Sequence, residues 1–311
     1  MSEMSYLEKL LDGVEVEWKT LGEVAKYVRG LIYSKSSESA DGQGYKVLRA
    51  NNITLSNNCL NLNDVKVVRF DTKVKSSQKL YKNDILISAA SGSREHVGKV
   101  AYIESDIDYY FGGFMGVVRC DEKLNPRYLF HVLTSDIFQK YLDEMLNSST
   151  INNLNSAVMG RFKIPLPCPD NPEKSLAIQS EIVRILDKFT ALTAELTAEL
   201  SMRKKQYNYY RDQLLSFKEG EVEWKALGEI GEVRMCKRIL KSQTSSEGEI
   251  PFYKIGTFGK EPDSYISRKL FNEFKEKYSY PKVGEVLISA SGTIGRTVIF
   301  DGRESYFQDS N

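Results

Sequence analysis

The sequence has few of the residues that most often carry metal or redox chemistry. No two of its cysteines form a Cys-x-x-Cys pair; they are Cys59, Cys120, Cys168 and Cys236. Isolated cysteines predict neither a zinc site nor a disulfide framework, and they suit a reducing cytoplasm. The two histidines have no evident nucleophile with a fixed third partner. His131 lies in an apolar segment, where packing is the simpler explanation.

Long apolar runs and an excess of one charge are also absent. No run of 18 apolar residues occurs, so no membrane span is expected. The start, "MSEMSYLEKLLDG", lacks the apolar stretch of a signal peptide, which again favours the cytoplasm. Lys and Arg number 43 against 42 Asp and Glu. This balance excludes binding to nucleic acid by bulk charge alone, but it does not exclude a local basic surface.

Two segments imitate enzyme motifs without meeting their requirements. "GSREHVGK" (92–99) has one residue too many between its glycines for a phosphate-binding loop, and Val100 follows where Ser or Thr is needed. Asp263, Glu273 and Lys275 stand in a nuclease-like order. However, "SRKLFNEFKEKY" (267–278) has the pattern of an exposed amphipathic helix, in which such charges are routine. No catalytic residue, metal site or cofactor is therefore predicted.

The chain repeats itself. Three pairs of segments match in the same order: "EVEWKTLGEV" (15–24) with "EVEWKALGEI" (221–230), "DILISAASGSREHVGKV" (84–100) with "EVLISASGTIGRTVIF" (285–300), and "DYYFGGF" (108–114) with "ESYFQDSN" (304–311). They predict one unit of 206 residues and the first 91 residues of another. We expect the first pair to form the entry strands of two domains, with Trp18 and Trp224 packed at the domain base.

Apolar runs bounded by Gly, Asn and Asp predict strands in the first unit. They are "VKVVRF" (65–70), "DILISAA" (84–90) and "GVVRC" (116–120). "NPRYLFHVLTSDIFQKYLDEML" (125–146) has the apolar spacing of a helix. The sequence therefore predicts an α+β globular domain within residues 1–170, ended by the proline-rich "RFKIPLPCPDNP".

One long helix is predicted over residues 171–219. Asn171 suits its cap, Pro172 its first turn and Gly220 its end. Its length would be roughly 65–70 Å. Apolar side chains recur at steps of three and four along it: Ile178, Ile182, Ile185, Phe189, Leu192, Leu196, Leu200, Tyr207, Tyr210 and Leu214. Such a stripe predicts a helix-pairing or subunit interface, a coiled coil; the alternative is packing on the helix's own domain.

The tandem tetrapeptide "TAELTAEL" (193–200) stands in the middle of this helix. Each copy adds about 6 Å of rise and about 40° of rotation, whereas a base pair of B-DNA adds about 3.4 Å. If the helix separates two DNA-reading domains, the number of copies is expected to set the gap between half-sites and not the bases read. The alternative is sequence slippage into a good helix former.

Basic clusters occur in both units in spite of the overall balance. They are residues 65–84, with Lys66, Arg69, Lys73, Lys75, Lys79 and Lys82, and residues 234–241, with Arg234, Lys237, Arg238 and Lys241. Clusters of this kind can neutralise phosphates, although a solvated charged face explains either one alone.

Arginines and short polar side chains that can read base edges occur at turns in both units. The predicted DNA contacts are Arg49, Asn51, Asn52, Lys73, Lys75, Ser91, Gly92, Ser93, Arg94, Ser291, Gly292, Thr293 and Arg296. A glycine at such a turn lets the chain approach a ligand closely, and a plain hairpin turn is the alternative.

The order of "EVEWKTLGEV", "LISAASG", "IPLPCPDNPEKSLAIQSEIVRILDKF" and "TAELTAELSMRKKQYNYYRDQLL" resembles the specificity subunit of a type I restriction–modification system. The likeness covers nearly all the chain, and the TAEL repeats resemble the C subclass. It implies two target recognition domains held apart by two antiparallel helices, each domain reading half of a split site in double-stranded DNA. It also implies docking of two methyltransferase subunits, joined by restriction subunits. The subunit itself is then non-catalytic and needs no cofactor, since the methyl donor, ATP and magnesium belong to its partners.

The sequence departs from that family after residue 219. Members run on through a complete second domain and a second helix, whereas residues 220–311 match only the N-terminal part of a second domain. We expect a fragment or a truncated chain. One alternative is a half-type subunit that self-associates through the spacer helix and reads an inverted repeat. A protein scaffold with no DNA role and a metal-dependent nuclease also stay open at this point.

Overall fold

The computed structural model describes residues 13–147, 153–292 and 294–309. They divide into two compact units between Tyr209 and Tyr210. Both units mix helices and strands, so the predicted α+β class is confirmed. Within the described ranges, no helix combines the length and the apolar character that a membrane crossing requires.

The first unit contains, in chain order, β1 (Val16–Thr20), α1 (Leu21–Val24), β2 (Ala25–Arg29), β3 (Tyr45–Leu48), β4 (Lys66–Val68), β5 (Ile85–Ser88), β6 (Val100–Tyr102), β7 (Tyr110–Phe111), β8 (Met115–Cys120), α2 (Pro126–Leu133), α3 (Asp136–Asn147), α4 (Ser156–Arg161) and β9 (Lys163–Pro167). The long helix α5 (Pro172–Leu214) follows, and its last residues, from Tyr210 on, belong to the second unit. Strands β2, β8, β5 and β6 form an antiparallel sheet in that order. A second sheet has the order β4-β3-β7, with β3 and β7 parallel. β1 and β9 pair antiparallel on their own.

Strand β5 lies between two apolar cores. Ile85 and Ile87 belong to one core with residues of α2 and α3, such as Phe138. Leu86 belongs to another core with Leu48 of β3 and residues of β7 and β8. Because successive strand side chains point to opposite faces, burial on both faces requires an unbroken apolar run. This explains why "ILIS" does not alternate with polar residues.

The helix predicted over 125–146 is two helices. Thr134 Oγ1 donates to the carbonyl of Phe130 at 3.0 Å, and Ser135 Oγ donates to that of Val132 at 2.7 Å. Hydroxyls that bond the preceding carbonyls compete with the helical ladder. The chain therefore ends α2 and begins α3 one residue after Ser135.

Helix α5 confirms the predicted long helix and corrects its end. Asn171 Oδ1 accepts the backbone N–H of Lys174 at 3.0 Å, so the predicted cap forms. The helix spans 43 residues and is about 65 Å long. It ends at Leu214 rather than at Gly220. Ser216 Oγ donates to the carbonyl of Asp212 at 2.6 Å just past the helix end, and Gly220 (φ +85°) belongs to a separate turn.

The second unit contains α6 (Leu227–Ile230), β10 (Ile250–Tyr253), β11 (Tyr265–Ile266), α7 (Arg268–Lys277), β12 (Val286–Ile288), β13 (Thr297–Ile299) and β14 (Tyr306–Phe307). β10 pairs antiparallel with β11 and parallel with β14, and β12 pairs antiparallel with β13. β3 has the same relations to β4 and β7, and β5 has the same relation to β6. The sequence repeat is therefore a repeat of strand topology.

The two copies of the repeated decapeptide differ in structure. In the first, β1 forms because β9 pairs with it and places Trp18 opposite Pro165. Residues 221–226 form no strand, and no strand among the described residues pairs with them. Trp18 is 52% exposed and Trp224 is 76% exposed. The expectation of two entry strands with packed tryptophans is therefore wrong for the second strand and for both side chains.

Candidate nucleic-acid interface

The first unit has an open cavity of about 700 Å³ that four loops enclose. The loops follow β2, β3 and β5, and the fourth connects β7 to β8. Its lining residues are Arg29, Leu31, Ile32, Tyr33, Lys35, Glu38, Arg49, Ala50, Asn51, Ala90, Ser91, Gly92, Gly112, Gly113, Phe114 and Met115. Arg49, Asn51, Ser91 and Gly92 are predicted DNA contacts, so segments far apart in sequence meet here.

Asp64 orients two polar side chains at this cavity. Arg49 Nη2 lies 2.9 Å from Asp64 Oδ2, and Asn51 Nδ2 donates to the same oxygen at 3.0 Å. Arg49 Nε is buried and has no hydrogen-bond partner in the protein. A carboxylate that holds a guanidinium and an amide side by side limits the rotamers of both. The arrangement presents forked donors of the kind that read base edges.

Asn52 has a different role from its neighbours. It is 1% exposed. Its Oδ1 accepts the backbone N–H of Arg49 at 2.8 Å, and its Nδ2 donates to the carbonyls of Asn61 and Asp64 at 2.8 and 2.9 Å. Because its amide is occupied within the loop, Asn52 builds the turn, which corrects the prediction that it contacts DNA.

The glycine turn after β5 divides its residues between two surfaces. Ser91 and Gly92 line the cavity. Ser93 and Arg94 line a separate hollow of about 480 Å³ beside α3. There Arg94 Nη2 lies 2.8 Å from Asp143 Oδ1. The structure therefore does not bring Ser93 and Arg94 to the cavity with the other predicted contacts.

Lys73 and Lys75 are exposed between β4 and the 3₁₀ turn at residues 76–78, and they do not line the cavity. Other basic residues of the 65–84 cluster form ion pairs: Lys66 with Glu38 at 2.6 Å, Arg69 with Asp71 at 3.1 Å and Lys79 with Asp108 at 2.8 Å. The Lys79–Asp108 hydrogen bond raises the pKa of Lys79 and lowers that of Asp108. Part of the cluster's charge is therefore balanced locally.

In the second unit the predicted contacts lie in and after the turn between β12 and β13. Ser291 and Gly292 are exposed. Gly292 has φ +67°, and a Cβ there would lie 2.9 Å from Ile255 Cγ2. Arg296 is half-buried, and its Nη1 donates to the carbonyl of Phe258 at 2.9 Å, so it also braces the loop. Thr293 lies outside the described residues.

The residues of the nuclease-like order have other partners. Asp263 Oδ1 lies 2.9 Å from Lys254 Nζ, and Glu273 Oε1 lies 3.1 Å from Lys277 Nζ. Lys275 Nζ sits over aromatic rings of the unit's core. Within the described ranges, no group of three or more His, Cys, Asp or Glu could hold a metal ion.

The apolar stripe of α5 has two parts. Ile178 is 6% exposed in the core of the first unit, and Ile182 packs against that core. For these two residues, packing on the helix's own domain replaces the predicted pairing. Ile185 is half-buried. The remaining stripe residues are exposed: Phe189 63%, Leu192 49%, Leu196 56%, Leu200 55%, Tyr207 67%, Tyr210 55% and Leu214 74%.

A polar junction fixes the start of α5 on the first unit. Gln179 is fully buried. Its Oε1 accepts the backbone N–H of Asn125 at 2.8 Å, and its Nε2 donates to the Lys123 carbonyl and to Ser175 Oγ, both at 3.1 Å. This residue was not predicted from the sequence, where its only signal is a glutamine inside the apolar stripe.

Asp187 extends the same junction further along the helix. Its Oδ1 lies 3.0 Å from Arg127 Nε and 2.8 Å from His131 Nε2. Burial lowers the pKa of His131, against the raising effect of its hydrogen bond to Asp187. His131 is therefore a polar contact between α2 and α5, and not only an apolar packing residue.

The fold defines a protein with two units of repeated strand topology, in which a 43-residue helix follows the first, cavity-bearing unit along the chain. The family model "Type I restriction modification DNA specificity domain" matches residues 13–202 and 219–311. The chain belongs to this family.

Curated relatives agree with the family match. A putative type I restriction enzyme specificity subunit of Haemophilus influenzae is 44% identical over 99% of this chain and 74% of that protein. The EcoR124I/EcoR124II specificity subunit of Escherichia coli is 43% identical over 83% of this chain and 57% of its own length. The EcoprrI specificity subunit of E. coli is 43% identical over 77% of this chain and 60% of its own length. The chain thus spans between about half and three quarters of these relatives.

Solved structures support the fold. The crystal structure of a type I restriction–modification S subunit from Mycoplasma genitalium has a TM-score of 0.52 and 16% identity. The match covers 96% of this chain and 71% of that one. A structure from work on complex assembly and conformational transition of the type I system matches with the same score and identity, over 95% of this chain and 74% of that one.

Proposed function

We propose that the chain is the DNA-recognition component of a type I restriction–modification complex and performs no catalysis itself. The observation that carries this proposal is the repeated strand topology of the two units in a chain of this family. Each unit reads one half of a bipartite site in double-stranded DNA. The partners are two methyltransferase subunits and the restriction subunits, in the cytoplasm.

Within the first unit, the cavity loops face the bases. Arg49 and Asn51, oriented by Asp64, contact base edges, and the turn at Ser91 and Gly92 approaches the duplex closely. Lys73 and Lys75 neutralise phosphates outside the cavity. In the second unit the corresponding contacts are made by Ser291, Gly292, Thr293 and Arg296 of the matching sequence segment.

The proposal predicts two kinds of binding defect. Asn51→Ala should lower the preference for the specific site over random DNA by about tenfold, since a good base contact is worth about 1–3 kcal/mol. Lys73→Ala and Lys75→Ala should weaken binding to every sequence and reduce the salt dependence by about one counterion each. Gel shifts of the chain with its methyltransferase partner, on specific and random duplexes at several salt concentrations, measure both effects.

Asn63→Ala is the matched control for Asn51, because Asn63 is an exposed asparagine of the same loop that does not line the cavity. It should behave as the wild type. The absence of any gel shift with the wild-type complex would support a protein scaffold, and metal-dependent cleavage by the chain alone would support a nuclease.

We propose further that a second helix of the same kind covers the exposed part of the α5 stripe. Phe189, Leu192, Leu196 and Leu200 recur at helical spacing and are each about half exposed or more. A continuous apolar stripe of this kind is stabilised by a facing helix. In a preparation of this chain alone, the second helix comes from another copy.

The double variant Leu192→Asp/Leu196→Asp is expected to convert such a dimer to a monomer in light scattering, because four carboxylates would enter one apolar seam. Ala194→Asp/Ala198→Asp adds the same charge to the opposite side of the helix and should remain dimeric. A wild-type chain that is monomeric at every concentration contradicts the self-association.

A further inference from the structure

Two large apolar side chains stand exposed at the wall of the cavity. Ile32 is 87% exposed and Phe114 is 73% exposed, and both line the cavity. Leu31, the neighbour of Ile32, is buried at 3%. These two side chains therefore expose apolar surface to water, and a bound partner can cover that surface.

A tight crossing of two backbone segments holds these side chains in place. The backbone N–H of Leu31 donates to the carbonyl of Phe111 at 2.7 Å, and that of Gly30 donates to Met115 at 3.1 Å. A Cβ on Gly30 would lie 2.1 Å from the carbonyl oxygen of Gly112, so only glycine fits this crossing. The apolar pair is therefore carried on rigid backbone, as a reading element must be.

The surroundings of the pair are basic. Arg29, Lys35 and Arg49 line the same cavity, and Arg49 is in its ion pair with Asp64. Its one acidic lining residue, Glu38, is paired with Lys66 at 2.6 Å. Apolar side chains framed by cations match the edge of a DNA groove, where phosphates border the bases. In the major groove the apolar group offered by a base is the 5-methyl of thymine.

We propose that Ile32 and Phe114 read thymine methyl groups in the half-site bound by the first unit. This inference rests on the proposed function and deepens it. Arg49 and Asn51 supply hydrogen bonds from the same cavity, and the apolar pair supplies the discrimination between thymine and bases without a methyl. Such contacts add specificity without adding charge.

The second unit carries different chemistry at the matching place. The 3₁₀ turns Lys35–Ser37 and Lys241–Gln243 correspond, and so do β7 and β14. By these offsets Ile32 corresponds to Arg238, and Gly113, which packs beside Ile32, corresponds to Asp309. Arg238 Nε donates to Asp309 Oδ2 at 2.8 Å. An arginine here reads guanine rather than a methyl group, so the two half-sites are expected to differ.

The test uses the complex of this chain with its methyltransferase partner. Selection from random duplexes identifies the bipartite site, and each thymine in it is then replaced by deoxyuridine, which lacks only the 5-methyl group. Wild-type affinity should fall about fourfold for each contacted methyl, in one half-site only. Ile32→Ala and Phe114→Ala should bind the original site more weakly and lose this sensitivity to deoxyuridine. Ile137→Ala, an exposed isoleucine on α3 outside the cavity, should keep it.

The possible results distinguish failure of the thymine-methyl inference from failure of the proposed DNA-recognition function. A complex that selects a site whose thymines all tolerate deoxyuridine overturns the inference and leaves the proposed function intact. The same holds if both variants keep the wild-type sensitivity. A wild-type complex that selects no sequence overturns the proposed function, and the inference with it. Because the deoxyuridine measurement on the wild type needs no substitution, it does not depend on the folding of any variant.

Discussion

Replacement of Asp84 by alanine is expected to lower the free energy of unfolding of the first unit by about 3 kcal/mol. Asp84 is 3% exposed. Its two carboxylate oxygens each lie 2.8 Å from the Arg119 guanidinium, and Oδ2 accepts the backbone N–H of Tyr81 at 3.0 Å. The variant removes the carboxylate that accepts from that N–H and from Nε and Nη2 of Arg119. Arg119 keeps its bond to the Lys79 carbonyl and is partly exposed, which places the loss at the lower end of the range for buried pairs.

Urea denaturation followed by circular dichroism measures this loss. The control is Asp108→Ala, because Asp108 is 87% exposed in its ion pair with Lys79 and exposed pairs contribute little. Equal stability losses in the two variants would show that the Asp84–Arg119 pair is no more important than a surface contact.

Replacement of Gln179 by leucine is expected to cost about 3 kcal/mol as well, because it leaves the buried N–H of Asn125 and the carbonyl of Lys123 without partners. Leucine has a similar volume, so the loss measures hydrogen bonding rather than a cavity. The change also weakens the attachment of α5 to the first unit. Protease should therefore cut the first turns of the helix faster than it does in the wild type.

Gln206→Leu serves as the comparison, since Gln206 is exposed on the same helix. It should leave both the unfolding midpoint and the cleavage pattern unchanged. If Gln179→Leu is as stable as the wild type and resists protease, the junction is held by the apolar contacts of Ile178 and Ile182 alone.

The sequence predicted the elements whose signals are local. The long helix followed from apolar spacing and from Asn171 and Pro172, and the repeat followed from matched segments. The break between α2 and α3 was missed, because Thr134 and Ser135 act through hydroxyl contacts that a periodic pattern does not contain. The second decapeptide was misassigned because a strand depends on a partner that lies far away in sequence.

The candidate site was predicted only in part, because it too depends on contacts between residues far apart in sequence. Arg49, Asn51 and Ser91 carry suitable chemistry, and the structure gathers them at one cavity. Asn52 has the same chemistry but is buried, and burial depends on packing rather than on residue type. Ile32 was not predicted at all, because an isolated isoleucine in a sequence suggests the interior. Its exposure follows from the crossing at Gly30, which only the three-dimensional structure reveals.

The pairing of β1 with β9 closes the first unit at its base. Register runs from Val16 opposite Pro167 to Thr20 opposite Lys163, so the chain enters and leaves the unit at neighbouring points. The segment between residues 20 and 163 therefore begins and ends at the same short β-ladder. Recombination between genes could exchange this segment as one piece, provided that β1, β9 and the first turns of α5 are kept. On the proposed function, such an exchange would change the bases that the first unit reads and leave α5 unchanged.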